Sequence, residues 1–142
     1  MESRHVSNTF RCAVMTPSGA SFDGEVNYAS FPAWDGQYGV MAGMSPLLGQ
    51  LGIGPLRLDT TDGIRWFAVE EGFAHVRDNT LTILSESVVS VDDLSVAELE
   101  AELRAFDAAE HPDLSADERT RRRAGISARH QLVQHHRSDR NT

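Results

Sequence analysis

Residues 63–84 read GIRWFAVEEGFAHVRDNTLTIL, and this stretch decides the fold. Apolar and polar side chains alternate in three short runs, 64–69, 72–77 and 80–84, as expected for strands with one buried face. Asp78 and Asn79 separate the last two runs, and both residue types are favoured in tight turns. The stretch therefore predicts a three-stranded meander.

The sequence before the meander continues as short strand-like runs between turn residues. Asp23-Gly24 is interpreted as a hairpin turn or a bulge, and breaks are expected near Gly52 and Gly54. Many short strands at this spacing predict a β-sandwich or a flattened barrel. The expected strands are 10–15, 21–31, 39–41 and two short strands within 46–58.

The sequence after the meander changes its period. Val96, Leu99, Leu103 and Phe106 recur at intervals of three and four, which predicts an amphipathic helix over 96–110. Pro112 ends this helix, and a short link of this kind favours an antiparallel hairpin. Capping boxes of Ser and Glu open both helices, at Ser95 with Glu98 and at Ser115 with Glu118, and the second helix is expected to end near His135.

These patterns divide the chain into four segments. We expect a flexible N-terminus over 1–9, a β-sandwich over 10–93, a helical hairpin over 94–136 and a disordered tail over 137–142. The second helix is rich in Arg, holds few apolar residues and includes Gly125, which costs roughly 1 kcal/mol relative to Ala. We therefore expect it to be held weakly against the first helix and to be detachable.

Charge is distributed unevenly along the chain. Residues 1–114 contain six Arg and eighteen acidic residues, whereas residues 115–142 contain seven Arg and three acidic residues, and Lys is absent throughout. Within the second helix, the Arg run at 119–123 has three interpretations: a solvated helical face, a nucleic-acid contact, or a dock for an acidic protein surface. The acidic body would repel nucleic acid, so the protein contact is favoured.

No arrangement of residues in the sequence supports catalysis. The glycines of 49–54 do not follow the order of a dinucleotide fingerprint, and a phosphate loop would need the missing Lys. Glu70 and Glu71 are adjacent, so in a regular strand they would point to opposite faces. His75, His130, His135 and His136 are not spaced as a metal site. We therefore expect the protein to be non-catalytic and to bind no cofactor or metal. Because no apolar run is long enough to span a membrane, we also expect no membrane insertion.

Several strings together resemble the epsilon subunit of F-type ATP synthases, the family that includes bacterial and chloroplast epsilon and mitochondrial delta subunits. They are 36–40 followed by Pro46-Leu47-Leu48, then Gly54, then 72–76, then 79–84. The resemblance implies a mainly β fold followed by α, with a ten-stranded β-sandwich and a C-terminal two-helix antiparallel hairpin. It also implies a non-catalytic central-stalk subunit that links gamma to the c-ring and couples rotation to ATP synthesis.

The resemblance further implies contacts and a location. The subunit would lie at the cytoplasmic face of a bacterial membrane as a peripheral protein, and its helices would reach the alpha/beta head and inhibit ATP hydrolysis. Some relatives bind ATP between the helices, but Ala101 stands where their motif has Asp. The expected c-ring contacts are Trp34, Asp35, Gln37, Tyr38 and Met44, and the expected inhibitory contacts with the beta subunit are Arg119, Arg121, Arg122 and Arg123.

An alternative of a different class also fits the residues. A free-standing β-sandwich module with an oligomerising helical tail would bind a ligand in a pocket near Trp34 and Trp66. It would not require a gamma subunit.

Overall fold

A computed structural model describes residues 8–140, with side chains described through His136. Most of the N-terminal segment expected to be flexible, residues 1–7, lies outside the described residues, as do residues 141 and 142. The elements are β1 (Phe10–Thr16), β2 (Gly19–Ala33), β3 (Gly36–Met41), β4 (Leu47–Thr60), β5 (Gly63–Arg77), β6 (Thr80–Ser90), a 3-10 turn (Val91–Asp93), α1 (Val96–Ala108) and α2 (Ala116–Arg140).

The strands close on themselves. Their order is β1-β6-β5-β4-β2-β3, and β1 also pairs with β2, so five strands form a closed ring with β3 added at the edge of β2. The β1–β6 pairing is parallel, whereas the other pairings are antiparallel. Closure leaves few unpaired strand edges, which limits unwanted association through backbone hydrogen bonds.

Four of the strands bend and contribute to both layers of a sandwich. Layer A contains residues 10–16, 19–26, 47–52, 72–77 and 80–85, and layer B contains 26–33, 36–41, 53–60, 63–70 and 86–90. Between them, side chains enclose one core that includes Cys12, Phe31, Leu56, Val69 and Ile83. Removal of these apolar side chains from water stabilises the fold, by roughly 25 cal/mol for each Å² of apolar area buried.

A shared corner, defined as residues 52–54 of β4, 70–72 of β5 and 85–86 of β6, joins the layers. In β5 the side chains that enter the sandwich core are Phe67 and Val69 before the corner but Ala74 and Val76 after it, so the alternation changes from odd to even positions. Ala68 is buried on the other side, beneath the helices. The pairing of β5 with β4 and with β6 keeps one register through this change. The three strands therefore bend together.

Two residues make the bend possible. Gly72 has a φ of 137°, and a Cβ there would lie 1.8 Å from the carbonyl oxygen of Leu84. The buried hydroxyl of Ser85 accepts a hydrogen bond from the backbone N–H of Glu70 at 3.2 Å and donates one to the Glu70 carbonyl at 2.7 Å. The Ser85 hydroxyl thus provides a hydrogen-bond partner for the backbone N–H and C=O of Glu70 at the bend.

The structure corrects the expected strand count. The sheet has six strands rather than ten, because β2, β4, β5 and β6 bend without leaving the sheet. The expected break in β4 near Gly52 and Gly54 is part of the corner. Asp23-Gly24 forms neither the expected hairpin turn nor the expected bulge: both residues pair regularly with β1, and the register shift lies next to them, between Val14 and Met15. The expected turn at Asp78-Asn79 is present, with φ values of 52° and 58°.

Both helices begin at the expected caps. The Ser95 hydroxyl accepts a hydrogen bond from the Glu98 amide, and Ser115 and Glu118 form both bonds of a capping box. Helix α1 ends at Ala108, close to the expected end at 110. Helix α2 continues to Arg140, so the first four residues of the expected disordered tail, 137–140, are helical.

The helices pack on the outer surface of layer B. The pairs Arg123–Asp107 and His130–Glu100 run in opposite directions along the two helices, so the hairpin is antiparallel. A second apolar cluster joins the hairpin to the sandwich; it contains Ala68 and Val91 of the sandwich side and Leu99, Ile126, Leu132 and Val133 of the helices.

Candidate functional site

The four arginines expected to contact the beta subunit lie on the first two turns of α2. Ser115 caps this helix, and its backbone N–H donates to the Glu118 carboxylate at 2.8 Å. This hydrogen bond, together with Arg121 and Arg122 nearby, holds the pKa of Glu118 below its ordinary value. The helix therefore begins with a carboxylate that stays charged at neutral pH, followed by a strongly basic surface.

Three of these arginines are engaged within the chain. Arg121 forms an ion pair with Glu71 of the corner at 3.2 Å, and Arg119 donates to the Leu114 carbonyl. Arg123 binds Asp107 of α1 through two hydrogen bonds of 2.8 and 2.9 Å. These bonds lower the pKa of Asp107 and raise that of Arg123. Arg122 forms no ion pair with a side chain that the structure describes.

A fifth arginine holds α2 to the sandwich. Arg129 forms a short hydrogen-bonded ion pair with Glu70 and also lies 3.7 Å from Glu102 of α1. Both Arg129 and Glu70 are more than two thirds shielded from solvent, so this pair is screened less than the exposed pairs. A Cβ on Gly125 would lie 2.6 Å from Glu70 Oε1, so the glycine allows α2 to approach this carboxylate.

The sequence alone did not identify Glu70, Arg129 or Gly125 as a unit. Glu70 and Glu71 were expected to point to opposite faces, but both pair with arginines of α2, because Glu71 has a φ of 49° and the strand bends there. The adjacent acidic residues before Gly72 were the available signal. Only the bend shows that one helix can contact both.

Apolar contacts add to these ion pairs. Ile126, Leu132 and Val133 are buried, and Trp66 and Ala68 of β5 contribute the sandwich side of the cluster. The second helix, which was expected to be held weakly against the first, therefore packs on layer B as well as on α1. Its detachment stays a prediction.

The five residues expected to contact the c-ring do not form one patch. Trp34 and Asp35 make the turn before β3, where the Trp34 side chain is 76% exposed. Gln37 is exposed, but its side-chain amide is held by the chain itself: it donates to Ser30 Oγ at 2.8 Å and to the Pro55 carbonyl at 3.1 Å. Tyr38 lies beside the Phe31 ring. Met44 follows β3 at its other end and packs against the core.

A cavity of about 440 Å³ lies between layer B and α2. Trp66 lines this cavity, whereas Trp34 lines a separate groove, so the two tryptophans do not share the single pocket that was expected. Arg57 lies 5.7 Å from the Tyr28 ring centroid and 5.8 Å from that of Trp66, and it forms an ion pair with Asp59 at 2.7 Å. The cavity wall is therefore mostly apolar and aromatic, with its cation neutralised.

The described residues offer little reactive chemistry. Burial raises the pKa of the Cys12 thiol to about 12, so it is protonated and shielded at neutral pH. Among residues 8–140, no group of three or more His, Cys, Asp or Glu side chains is arranged to hold a metal ion. No helix in that range is both long enough and apolar enough to cross a membrane.

The sandwich matches a known family. The sequence profile described as "ATP synthase, Delta/Epsilon chain, beta-sandwich domain" matches residues 9–91, which is more than half of the chain. The chain belongs to the delta/epsilon chain family of ATP synthases. The profile covers the sandwich and stops before both helices.

Two ATP synthase epsilon chains are similar to this chain in sequence. The ATP synthase epsilon chain of Rhodopirellula baltica is 38% identical over 84 residues, which are 59% of this chain and 66% of the relative. That of Anoxybacillus flavithermus is 33% identical over 93 residues, 66% of this chain and 69% of the relative. The chain thus matches about two thirds of the length of these epsilon chains.

Two solved structures are similar to this chain over most of its length, beyond the segment that the family profile covers. A chain in the Euglena gracilis mitochondrial ATP synthase, solved as OSCP/F1/c-ring, superposes with a TM-score of 0.69 at 20% identity, covering 91% of this chain and 81% of the other. A chain in the Tetrahymena thermophila central stalk and c-ring gives 0.60 at 15% identity, covering 87% of this chain and 95% of the other. At these identities, the likeness shows a shared fold.

Proposed function

We propose that this chain is a non-catalytic central-stalk subunit of an F-type ATP synthase that links gamma to the c-ring and couples rotation to ATP synthesis. Membership of the delta/epsilon family, established over residues 9–91, is the observation that carries this proposal. The complex would be proton-translocating and the subunit peripheral, at the cytoplasmic face of a bacterial membrane. A closed, well-packed sandwich suits such a role, because torque is transmitted better by a body that resists deformation.

Binding to gamma tests the proposal directly. The purified chain should form a stable complex with the gamma subunit encoded by the same genome and should show no ATP hydrolysis by itself. A folded chain that fails to bind this gamma subunit would overturn the proposal. Circular dichroism of the same sample would establish that the chain is folded.

The proposed c-ring contact is carried by the turn at Trp34 and Asp35. Its exposed aromatic ring and carboxylate can reach a neighbouring loop, whereas Gln37 is bound to Ser30 and Pro55. Asp35→Asn together with Trp34→Ala should weaken cross-linking between this turn and subunit c. Gln37→Ala should leave that contact in place, which makes it a matched control from the same hairpin.

We also propose that the helices inhibit ATP hydrolysis when they leave layer B. Arg121, Arg123 and Arg129 are paired with carboxylates of the chain in the folded hairpin, so these carboxylates compete with any acidic segment of the beta subunit. Arg119, Arg121, Arg122 and Arg123 would become available together after release. The folded hairpin then represents the non-inhibiting arrangement.

Two variants of the assembled complex test the inhibition. Truncation after Glu110 should raise ATP hydrolysis severalfold without loss of assembly, because it removes the whole basic surface. Arg122→Glu should have a smaller effect in the same direction and should leave the folded hairpin intact, since Arg122 forms no ion pair with the side chains described. Unchanged hydrolysis after truncation would eliminate the inhibitory role.

The cavity beside Trp66 supports a second candidate, a free-standing ligand-binding module. This candidate predicts that the isolated chain self-associates through its helices and binds a small aromatic molecule in place of gamma. Trp66 fluorescence, compared between the wild type and Arg57→Met, would detect such binding. Tight binding to gamma by a monomer would exclude this alternative.

A further inference from the structure

The cavity beside Trp66 is built from two parts of the chain that are distant in sequence. Its floor is the outer surface of layer B, and its roof is one side of α2. Among the described residues, its lining includes no residue of α1 and none of Arg119, Arg121, Arg122 or Arg123. The cavity is therefore separate from the space between the two helices and from the basic surface at the start of α2.

The floor combines aromatic rings with one planar cation. Strand pairing places Ser30 beside Arg57 and Arg57 beside Trp66, so these residues form a row across β2, β4 and β5. The Arg57 guanidinium lies 5.7 Å from the ring centroid of Tyr28 and 5.8 Å from that of Trp66. A flat aromatic molecule that lies on this floor would contact both rings and the guanidinium, which are the partners that such a molecule prefers.

The charge of the floor is compensated within the chain. Asp59 accepts two hydrogen bonds from Arg57, of 2.7 and 3.1 Å, and both side chains are about two thirds shielded from solvent. An anionic ligand would have to compete with Asp59 for Arg57 and would be repelled by the Asp59 carboxylate. The cavity therefore favours an uncharged occupant.

The polar groups of the floor can act as donors. Asp59 binds only part of the Arg57 guanidinium, so Arg57 can donate further hydrogen bonds. The buried Ser30 Oγ accepts a hydrogen bond from the Gln37 amide at 2.8 Å, which leaves its own O–H able to donate. A carbonyl oxygen or an aromatic ring nitrogen is the ligand group that matches these donors.

The roof belongs to the second half of α2. Ala128, Gln131, Leu132 and His135 line it, and their spacing of three and four places them on one side of the helix. Ala128 has the smallest side chain of the four, so it leaves room between the helix and the floor. Gln131 and His135 are exposed, so a small molecule can enter beside them without release of α2.

We propose that this cavity binds a small, uncharged, planar aromatic molecule that carries a carbonyl oxygen or a ring nitrogen, and that the bound molecule fastens the second half of α2 to layer B. Its volume of about 440 Å³ lies within the range of small-molecule sites. Because the site needs both the floor and the roof, its occupant stabilises only the docked helix. Such binding requires neither self-association of the chain nor the loss of a partner, so it is compatible with the proposed central-stalk role.

Titration of the full chain followed by NMR tests the site with an internal control. The probes are coumarin and 2-quinolone, because each is an uncharged pair of fused rings that carries a carbonyl. The chain contains two tryptophans. The indole N–H signal of Trp66 should shift as the probe binds, whereas that of Trp34, which lies outside the cavity, should stay in place. Amides of residues 128–135 should become better protected from hydrogen exchange as the site fills.

Two pairs of substitutions test the roof and the floor. Ala128→Phe should weaken probe binding about tenfold or more, because its ring would occupy the space of the ligand. Ala124→Phe, one turn earlier on α2 and also partly buried, is the matched control, since Ala124 does not line the cavity. On the floor, Arg57→Met should weaken binding by removing the donor, whereas Arg65→Met, which lies over the rings of Phe22 and Phe67, should not. Circular dichroism establishes that each variant is folded.

Each outcome supports or overturns the site. A shift confined to Trp66 that is lost in Ala128→Phe and in Arg57→Met would support it. Absence of a shift at millimolar probe, or equal shifts of Trp66 and Trp34, would overturn it. Displacement of the probe by ATP would overturn the assigned chemistry, and binding without added protection at 128–135 would overturn the hold on α2. None of these measurements uses gamma or the c-ring, so their failure leaves the proposed function standing.

Discussion

The two outer surfaces of the sandwich are built from the same bent strands but have opposite compositions. The layer B surface contains Arg57, Trp66 and Glu70, and the chain covers it with its own helix α2. The layer A surface places Leu48, Phe73 and Leu84 in the open. On layer B, ion pairs and buried apolar side chains hold α2 in place, and the close approach at Gly125 lets the helix reach Glu70. The difference shows that exposed apolar side chains alone do not decide which surface the helices cover.

Substitution of Gly72 should produce the largest effect, because both surfaces depend on the corner. We expect Gly72→Ala to lower the free energy of unfolding by about 3 kcal/mol or more, since the added Cβ would collide with the Leu84 backbone and the φ of 137° disfavours a side chain. Urea unfolding followed by circular dichroism measures this. Gly49→Ala is the control, because it has open space and should change stability little.

A matched pair of leucines compares the two surfaces directly. Leu132 lies on α2 and is 6% exposed in the cluster between the helices and layer B. Leu132→Ala should lower the free energy of unfolding by about 2–3 kcal/mol, because its burial is lost and a cavity remains. Leu84→Ala, on the outer surface of layer A where Leu84 is 52% exposed, should change the stability of the isolated chain by less than about 0.5 kcal/mol. Equal losses in urea unfolding would show that the layer A surface is as important to folding as the surface that the helices cover.

Loss of the Ser85 hydroxyl should have an intermediate effect. Ser85→Ala leaves the buried N–H and C=O of Glu70 without this partner, which should cost about 1–2 kcal/mol. Because Glu70 also holds Arg129, amide exchange in α2 should increase along with the loss of stability. An unchanged exchange rate in α2 would mean that the corner and the helix contact are independent.

The smallest expected effect is a dependence on pH at the beginning of α2. The pKa values of Asp107 and Glu118 are lower in the folded chain than in the unfolded one, so the stabilisation is present above their ordinary values near 4 and is lost as pH falls through the lowered ones. The protection of the amides at residues 116–124, corrected for the intrinsic pH dependence of exchange, should therefore fall as the pH is lowered below about 4. Asp107→Asn should reduce this change, and an identical pH response in that variant would contradict the assignment.

The sequence predicted the local structure well wherever one short pattern determined it. The turn at Asp78-Asn79 and both capping boxes are confirmed, because each depends on residues within a few positions of one another. The expectation of a sandwich followed by two helices is confirmed for the same reason. The strand count was wrong, because alternation alone cannot distinguish a strand that ends from a strand that bends while its pairing continues.

For the candidate sites, too, the sequence predicted local features but not the contacts between distant residues. The Arg run at 119–123 was visible in the sequence as a basic helical surface, and its use against an acidic partner stays a prediction. The pairing of Arg129 with Glu70 joins residues 59 positions apart and requires the close approach at Gly125. The five residues proposed for the c-ring lie within the short stretch 34–44, yet β3 separates Trp34 from Met44.

The amino-acid sequence by itself determined the elements, their caps, the charge difference between the body and the second helix, and the family of the sandwich. The reason is that propensity, turn chemistry and side-chain period act over a few residues. Only the tertiary structure decided which outer surface the helices cover and which one stays open. That choice depends on the corner at Gly72 and Ser85, where three strands bend together and bring distant residues to one side.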